Sequence, residues 1–118
     1  MSLEQWEERR KYKRYPSDLP VRFRDLRTTQ AEPGQGLALN VCRGGVFIRT
    51  QTPLRAGTDI QLHVRIVTPF GEEQELEAEA KVVWVNDRAG ETGMGIAFTK
   101  IDRHSQYAML ACAFRGET

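Results

Sequence analysis

Five positive charges fall within six residues, RRKYKR at Arg9–Arg14, in a chain of 118 residues whose formal net charge is only +1. Arg10 and Arg14 stand four apart, with Arg9 directly before them; in a helix or loose turn that spacing sets two guanidinium groups on one side. Each guanidinium fork can bond two oxygens of a phosphodiester, or the O6 and N7 acceptors of guanine, and its plane can stack on a ring. A second stretch of interest is NVCRGG, Asn40–Gly45. Asn40 offers both a donor and an acceptor to a purine edge. Gly44 and Gly45 would let a ligand approach the backbone closely. Taken singly, the first stretch reads as a solvated basic tail and the second as a turn.

Other reactive side chains form no constellation. The sequence has no GxSxG elbow, no HExxH and no Walker-type phosphate loop, so no catalytic residue is expected and the chain is not read as an enzyme. His63 falls on the polar face of a strand-like segment and His104 at the start of a helical one, and each reads as a surface residue. Cys42 and Cys112 form neither a CxxC pair nor a disulfide framework, and neither histidine lies at metal-ligand spacing from them, so no metal site is expected. GMG at Gly93–Gly95 lacks the following helix that a dinucleotide fingerprint requires; its glycines instead fit relief of crowding at a bend or bulge.

These residues must be positioned by short strands. VRFRDL alternates apolar and polar residues, with Val21, Phe23 and Leu26 expected inside. TTQAEPGQG reads as a loop, LALNV as a short strand, CRGG as a tight turn and VFIRT as a further strand. DIQLHVRIV sets Ile60, Leu62, Val64 and Ile66 in unbroken alternation, and QELEAEAKVVWV sets Leu76, Ala78, Ala80, Val82 and Trp84 on one face. GMGIAF adds a strand with Met94, Ile96 and Phe98 inward. From Asp102, a plausible N-cap, Tyr107, Leu110, Ala111 and Phe114 recur at helical spacing. Six or seven short strands and one terminal helix predict a mainly all-β domain, a small antiparallel barrel at 20–118, preceded by a flexible basic arm and connector at 1–19.

Composition narrows the classes further. The chain is 40% hydrophobic and 28% charged, within the range of an ordinary globular domain. No apolar run approaches the length of a membrane span, and MSLEQWEERR is not a secretory signal, so a cytoplasmic location is expected. General binding to nucleic acid polymers is disfavoured by the balanced charge and by the expectation that Trp84 and most phenylalanines face inward.

Together, the RxxxR pair at Arg10 and Arg14 and the Asn40, Cys42 and Gly45 spacing resemble the [D/N]xSxxG-bearing PilZ domain family. The likeness extends through ERRKYKRYPSDLPVRF, NVCRGGVFIRTQTPLRAGTDIQL, AEAKVVWV and TGMGIAF. It implies a six-stranded antiparallel barrel with a C-terminal helix, and a receptor for the bacterial second messenger cyclic di-GMP. By that resemblance Arg10 and Arg14 would grip phosphate and the Hoogsteen edge of guanine, and Arg9 would add a stacking or phosphate contact. Asn40 and residue 42 would hydrogen-bond guanine, and Gly45 would keep the turn open. Output would pass to an unidentified protein effector in motility or biofilm behaviour; homo-oligomerisation is compatible with the sequence. Cys42 departs from the family serine. The alternative is therefore a PilZ-like protein-interaction module with weakened or lost nucleotide binding.

Overall fold

The computed structural model describes residues 18–28, 32–68 and 70–115. Among the described residues, six strands, β1 (Leu19–Asp25), β2 (Gly34–Cys42), β3 (Gly45–Arg49), β4 (Asp59–Val67), β5 (Glu73–Asn86) and β6 (Gly93–Lys100), precede one helix, α1 (Arg103–Arg115). Every pairing is antiparallel, and the order β1-β2-β3-β6-β5-β4 closes into a barrel. Closure leaves no strand with an unpaired edge.

Alternation explains the inside. Val21 and Phe23 of β1, Ile60, Leu62, Val64 and Ile66 of β4, Leu76, Ala78, Ala80 and Val82 of β5, and Met94 and Ile96 of β6 are all buried. In β3, Val46 and Ile48 point inward and flank an outward Phe47. Because side chains alternate with a period of two, one face of each strand supplies the core and the other carries the charge. The nine-pair ladder between β4 and β5 is the longest in the barrel, and on its outer face Arg65 opposes Glu75 and His63 opposes Glu77.

Three expectations are corrected. Leu26 is 44% exposed, because β1 ends at Asp25 and the chain turns there, with the Thr28 amide donating to the Asp25 carbonyl. Strand β2 starts at Gly34, inside the stretch read as loop; pairing of Gly34–Ala38 with β1 overrides the poor strand propensity of its glycines. Trp84 does not share the inner face of Val82. The register slips between Val82 and Trp84 where β5 meets β6, so Val82 and Val83 are both buried and Trp84 emerges on the outside. A bulge inserts one residue and thereby reverses the parity of all that follows.

Helix α1 begins as expected. Asp102 caps it, accepting from the Ser105 amide at 2.7 Å and from the Ser105 hydroxyl at 3.1 Å. The face on the barrel is carried by Ser105 and Met109, with Ala108, Leu110 and Cys112 packed beside them, so Leu110 of the expected stripe meets the core whereas Tyr107 is 75% exposed. The cap sets this phase: tethering Ser105 to Asp102 turns Ser105 inward and Tyr107 nearly opposite. The helix covers the end of the barrel that carries the β2–β3 turn, and the Gln106 side-chain amide donates to the Arg43 carbonyl at 2.5 Å.

Candidate functional site

Arg9, Arg10 and Arg14, the expected clamp, lie outside the described residues. The first residue of β1, Leu19, pairs with Ala38, two residues before Asn40. Four residues lie between Arg14 and Leu19, so the two can be at most about 18 Å apart, the length of a fully extended chain. Leu19, at the start of β1, is thus paired with the strand that leads into the turn carrying the second motif.

At that turn the backbone is irregular. Asn40 has a φ of 54° and is the one non-glycine residue with positive φ among the described residues. Asparagine tolerates this left-handed region better than most L-residues because its short side chain bonds locally. The β2–β3 register shifts between Leu39 and Cys42, so the kink sits within a bulge. Val41 and Cys42 are consequently both buried, whereas Asn40 stays exposed. Residues Arg43 and Gly44 make a two-residue turn, and Cys42 pairs with Gly45 across it.

Gly45 has a structural task. It is buried, and an ideal Cβ placed there would lie 1.9 Å from the Ile96 carbonyl oxygen and 3.2 Å from the Ala97 Cα. Glycine lets β3 and β6 approach; the space a side chain would need is filled by backbone of β6 rather than left open beside the turn. The Phe98 amide donates to the Gly44 carbonyl at 2.9 Å and fixes the turn to the same strand.

Beside the turn lies a feature that strand counting missed. Phe47 and Trp84 stack on the outer face of the barrel with ring centroids 5.3 Å apart and planes inclined by 15°. Gly95 lies beneath them in register with both, and a Cβ there would enter the Trp84 indole. The result is a half-buried aromatic plate of the kind on which a planar base can rest. The sequence signal was the break of alternation in KVVWV opposite GMG, where a strand glycine makes room for a neighbouring ring.

The remaining titratable groups sit elsewhere. His63 Nδ1 lies 3.4 Å from Glu75 Oε1 and 3.6 Å from Glu77 Oε1, on the outer face of β4. A hydrogen bond from Arg22 holds the Glu75 carboxyl below the usual carboxylate range, helped by the charges of Arg22, His63 and Arg65. His104 is exposed in the first turn of α1. No disulfide joins Cys42 and Cys112; Cys42 is buried, and the Cys112 thiol donates to the Val67 carbonyl at 3.7 Å. Among the described residues no group of His, Cys, Asp or Glu could hold a metal ion, and no helix is long and apolar enough to cross a membrane.

Comparison with known proteins follows the same lines. The family model described as PilZ domain matches residues 8–115. Among solved structures, the Bacillus subtilis inhibitor of motility MotI/DgrA superposes with a TM-score of 0.71 at 24% identity, covering 92% of this chain and 51% of that one. This chain thus spans about half the length of MotI. The PilZ domain of YcgR from Escherichia coli with c-di-GMP gives 0.68 at 13% identity, covering 92% of each chain. The PilZ domain of CeSA from a cellulose-synthesizing bacterium gives 0.56 at 20% identity, covering 89% of this chain and 98% of that one. No curated protein matches. With a match running through both motifs, the barrel and the helix, the chain belongs to the PilZ domain family.

Proposed function

We propose that the chain is a non-enzymatic cyclic di-GMP receptor that acts as an adaptor. The observation that carries this reading is the PilZ family match over residues 8–115, which runs through both motifs, together with the exposed, left-handed Asn40 before the β2–β3 turn and the Phe47–Trp84 stack on the outer face. Arg10 and Arg14 clamp the phosphates and the Hoogsteen edge of guanine, and Arg9 adds a phosphate or stacking contact. Asn40 reads a guanine edge with donor and acceptor together. The outer plate offers a base a flat apolar surface, and Gly45 holds the turn by letting β3 close on β6. Ligand binding then favours one arm position over others, so the arm presents a different face to a protein partner. The YcgR domain was solved with c-di-GMP, and MotI is described as an inhibitor of motility, which supports a role in cyclic di-GMP signalling to motility; a cytoplasmic location and a part in biofilm behaviour belong to the same proposal.

A second reading rests on Cys42, which stands where the family pattern has serine and is 2% exposed. A thiol is a weaker hydrogen-bonding group than a hydroxyl. On this reading the chain is a protein-interaction module with weakened or lost nucleotide binding. Calorimetric titration with cyclic di-GMP, beside Cys42→Ser, separates the two. Micromolar or tighter binding by the native chain supports the receptor, binding by Cys42→Ser alone supports the module, and binding by neither removes the nucleotide from the account.

A further inference from the structure

Away from the Asn40–Gly45 turn, a cleft of about 530 Å³ opens over β1, bounded by β2, the far end of β3, β4 and the start of β5. Its volume lies in the range of small-ligand sites, roughly 300–1,000 Å³. Arg22, Arg49, Arg65 and His63 line it against a single carboxylate, Glu75. That imbalance stands out in a chain with 17 basic and 16 acidic residues.

The strand pattern brings Arg22, His63 and Arg65 beside that carboxylate. Arg22 pairs with His63 across β1 and β4, and Arg65 with Glu75 across β4 and β5, so all four residues project from one outer surface. Glu75 receives the hydrogen bond from Arg22 and lies 3.4 Å from His63. Its carboxyl is held low first by that hydrogen bond and then by the charges of Arg22, His63 and Arg65. Among the described residues, Arg49 and Arg65 form no side-chain hydrogen bond or ion pair. Two fork-shaped donors are therefore unspent beside a third already aimed at a carboxylate. The floor between them is apolar, with Pro20 and Leu37 on adjacent strands.

We propose that this cleft is a second ligand site, which binds a small oxyanion carrying two or more negative charges. The ligand pairs with Arg49 and Arg65 and shares Arg22 with Glu75, whose carboxylate already marks where one oxyanion group sits. The site uses none of the Asn40–Gly45 turn, and it stands or falls independently of cyclic di-GMP binding. Phosphates and polycarboxylates share the required chemistry, and the probes distinguish them.

The test is titration of the intact chain with inorganic pyrophosphate and, separately, with citrate, at about 0.15 M salt, where charges beyond roughly 8 Å are screened. Binding is read by calorimetry and by backbone amide resonances. The expected result is saturable binding of at least one probe, with shifts at Arg22, His63 and Arg65 while Asn40 and Arg43 stay unmoved. The tighter probe names the ligand class. Arg65→Glu weakens that binding at least tenfold, whereas Arg88→Glu, an equal charge change in the exposed β5–β6 loop, leaves it within twofold. If Arg65→Glu does not fold, Arg49→Gln takes its place. The proposal is overturned if neither probe saturates, if the shifts centre on Asn40 and Arg43, or if Arg88→Glu weakens binding as much as Arg65→Glu.

Discussion

Replacing Gly45 by alanine separates a structural glycine from one that merely leaves room for a ligand. The added Cβ would sit 1.9 Å from the Ile96 carbonyl oxygen, whereas real Cβ atoms essentially never approach within 3.0 Å, a shortfall of about 1.1 Å. The atoms in the way are β6 backbone, so no side chain can rotate aside. Either β3 and β6 separate at the Gly45–Ala97 pair or the turn distorts and releases the Phe98–Gly44 hydrogen bond. Overpacking of this kind costs about 1–3 kcal/mol, and each lost hydrogen bond adds about 1 kcal/mol. A total near 3 kcal/mol is a large fraction of the roughly 5–15 kcal/mol that holds a domain folded. At about 4 °C per kcal/mol for a domain of this size, Tm falls by roughly 12 °C. Thermal unfolding followed by circular dichroism, without any nucleotide, is the assay. A variant that melts within 2 °C of the native chain would refute the close-approach argument and return Gly45 to a purely ligand-facing role.

Three further outcomes are expected. Trp84→Ala removes the plate beside the turn; since a stacked base is worth about 1–3 kcal/mol, cyclic di-GMP affinity measured by calorimetry drops roughly tenfold or more. Cys42→Ser restores the family hydroxyl, and gaining one good hydrogen bond, worth about 1–3 kcal/mol, tightens the same titration by roughly tenfold to a hundredfold. Asp102→Ala removes the cap of α1 and lowers the urea midpoint at pH 7. Hydrogen bonds from the Ser105 amide and hydroxyl hold the Asp102 carboxyl below its ordinary value of 3.8, so its contribution is present above that value and is lost as pH falls through the lower folded one. The native and variant midpoints should therefore converge in acid; a constant gap down to pH 2 would contradict the assignment.

The barrel was legible because alternation in β4, β5 and β6 leaves little freedom: each strand has one apolar face, and closing the sheet is the way to bury all of them. The misreadings fall where period-two counting loses its footing. At Val82–Trp84 a bulge reverses the parity, so strict alternation points Trp84 inward although it stacks on Phe47 at the outer face. At Gly34–Gly36 propensity argued for a loop, but pairing with β1 decides. In α1 a helical period fixes the spacing of Tyr107 and Leu110 but not the phase, and the Asp102–Ser105 cap goes with a phase that leaves Tyr107 outside. The site was partly legible. Asn40 and Gly45 could be marked by type and spacing, but the left-handed φ of one and the backbone contact of the other depend on strands distant in sequence. The cleft over β1 gave no sequence signal, since Arg22, Arg49 and Arg65 come together only through the order of the strands.

The central claim is that the arm before β1 and the turn after β2 form one nucleotide clamp. Calorimetric titration with cyclic di-GMP of the native chain, Arg10→Ala and Arg14→Ala, tests it most directly. The account predicts saturable binding by the native chain at micromolar concentration or below and its loss in either variant, with Tm unchanged in the absence of nucleotide. Equal binding by all three proteins, or none by the native chain, would contradict it.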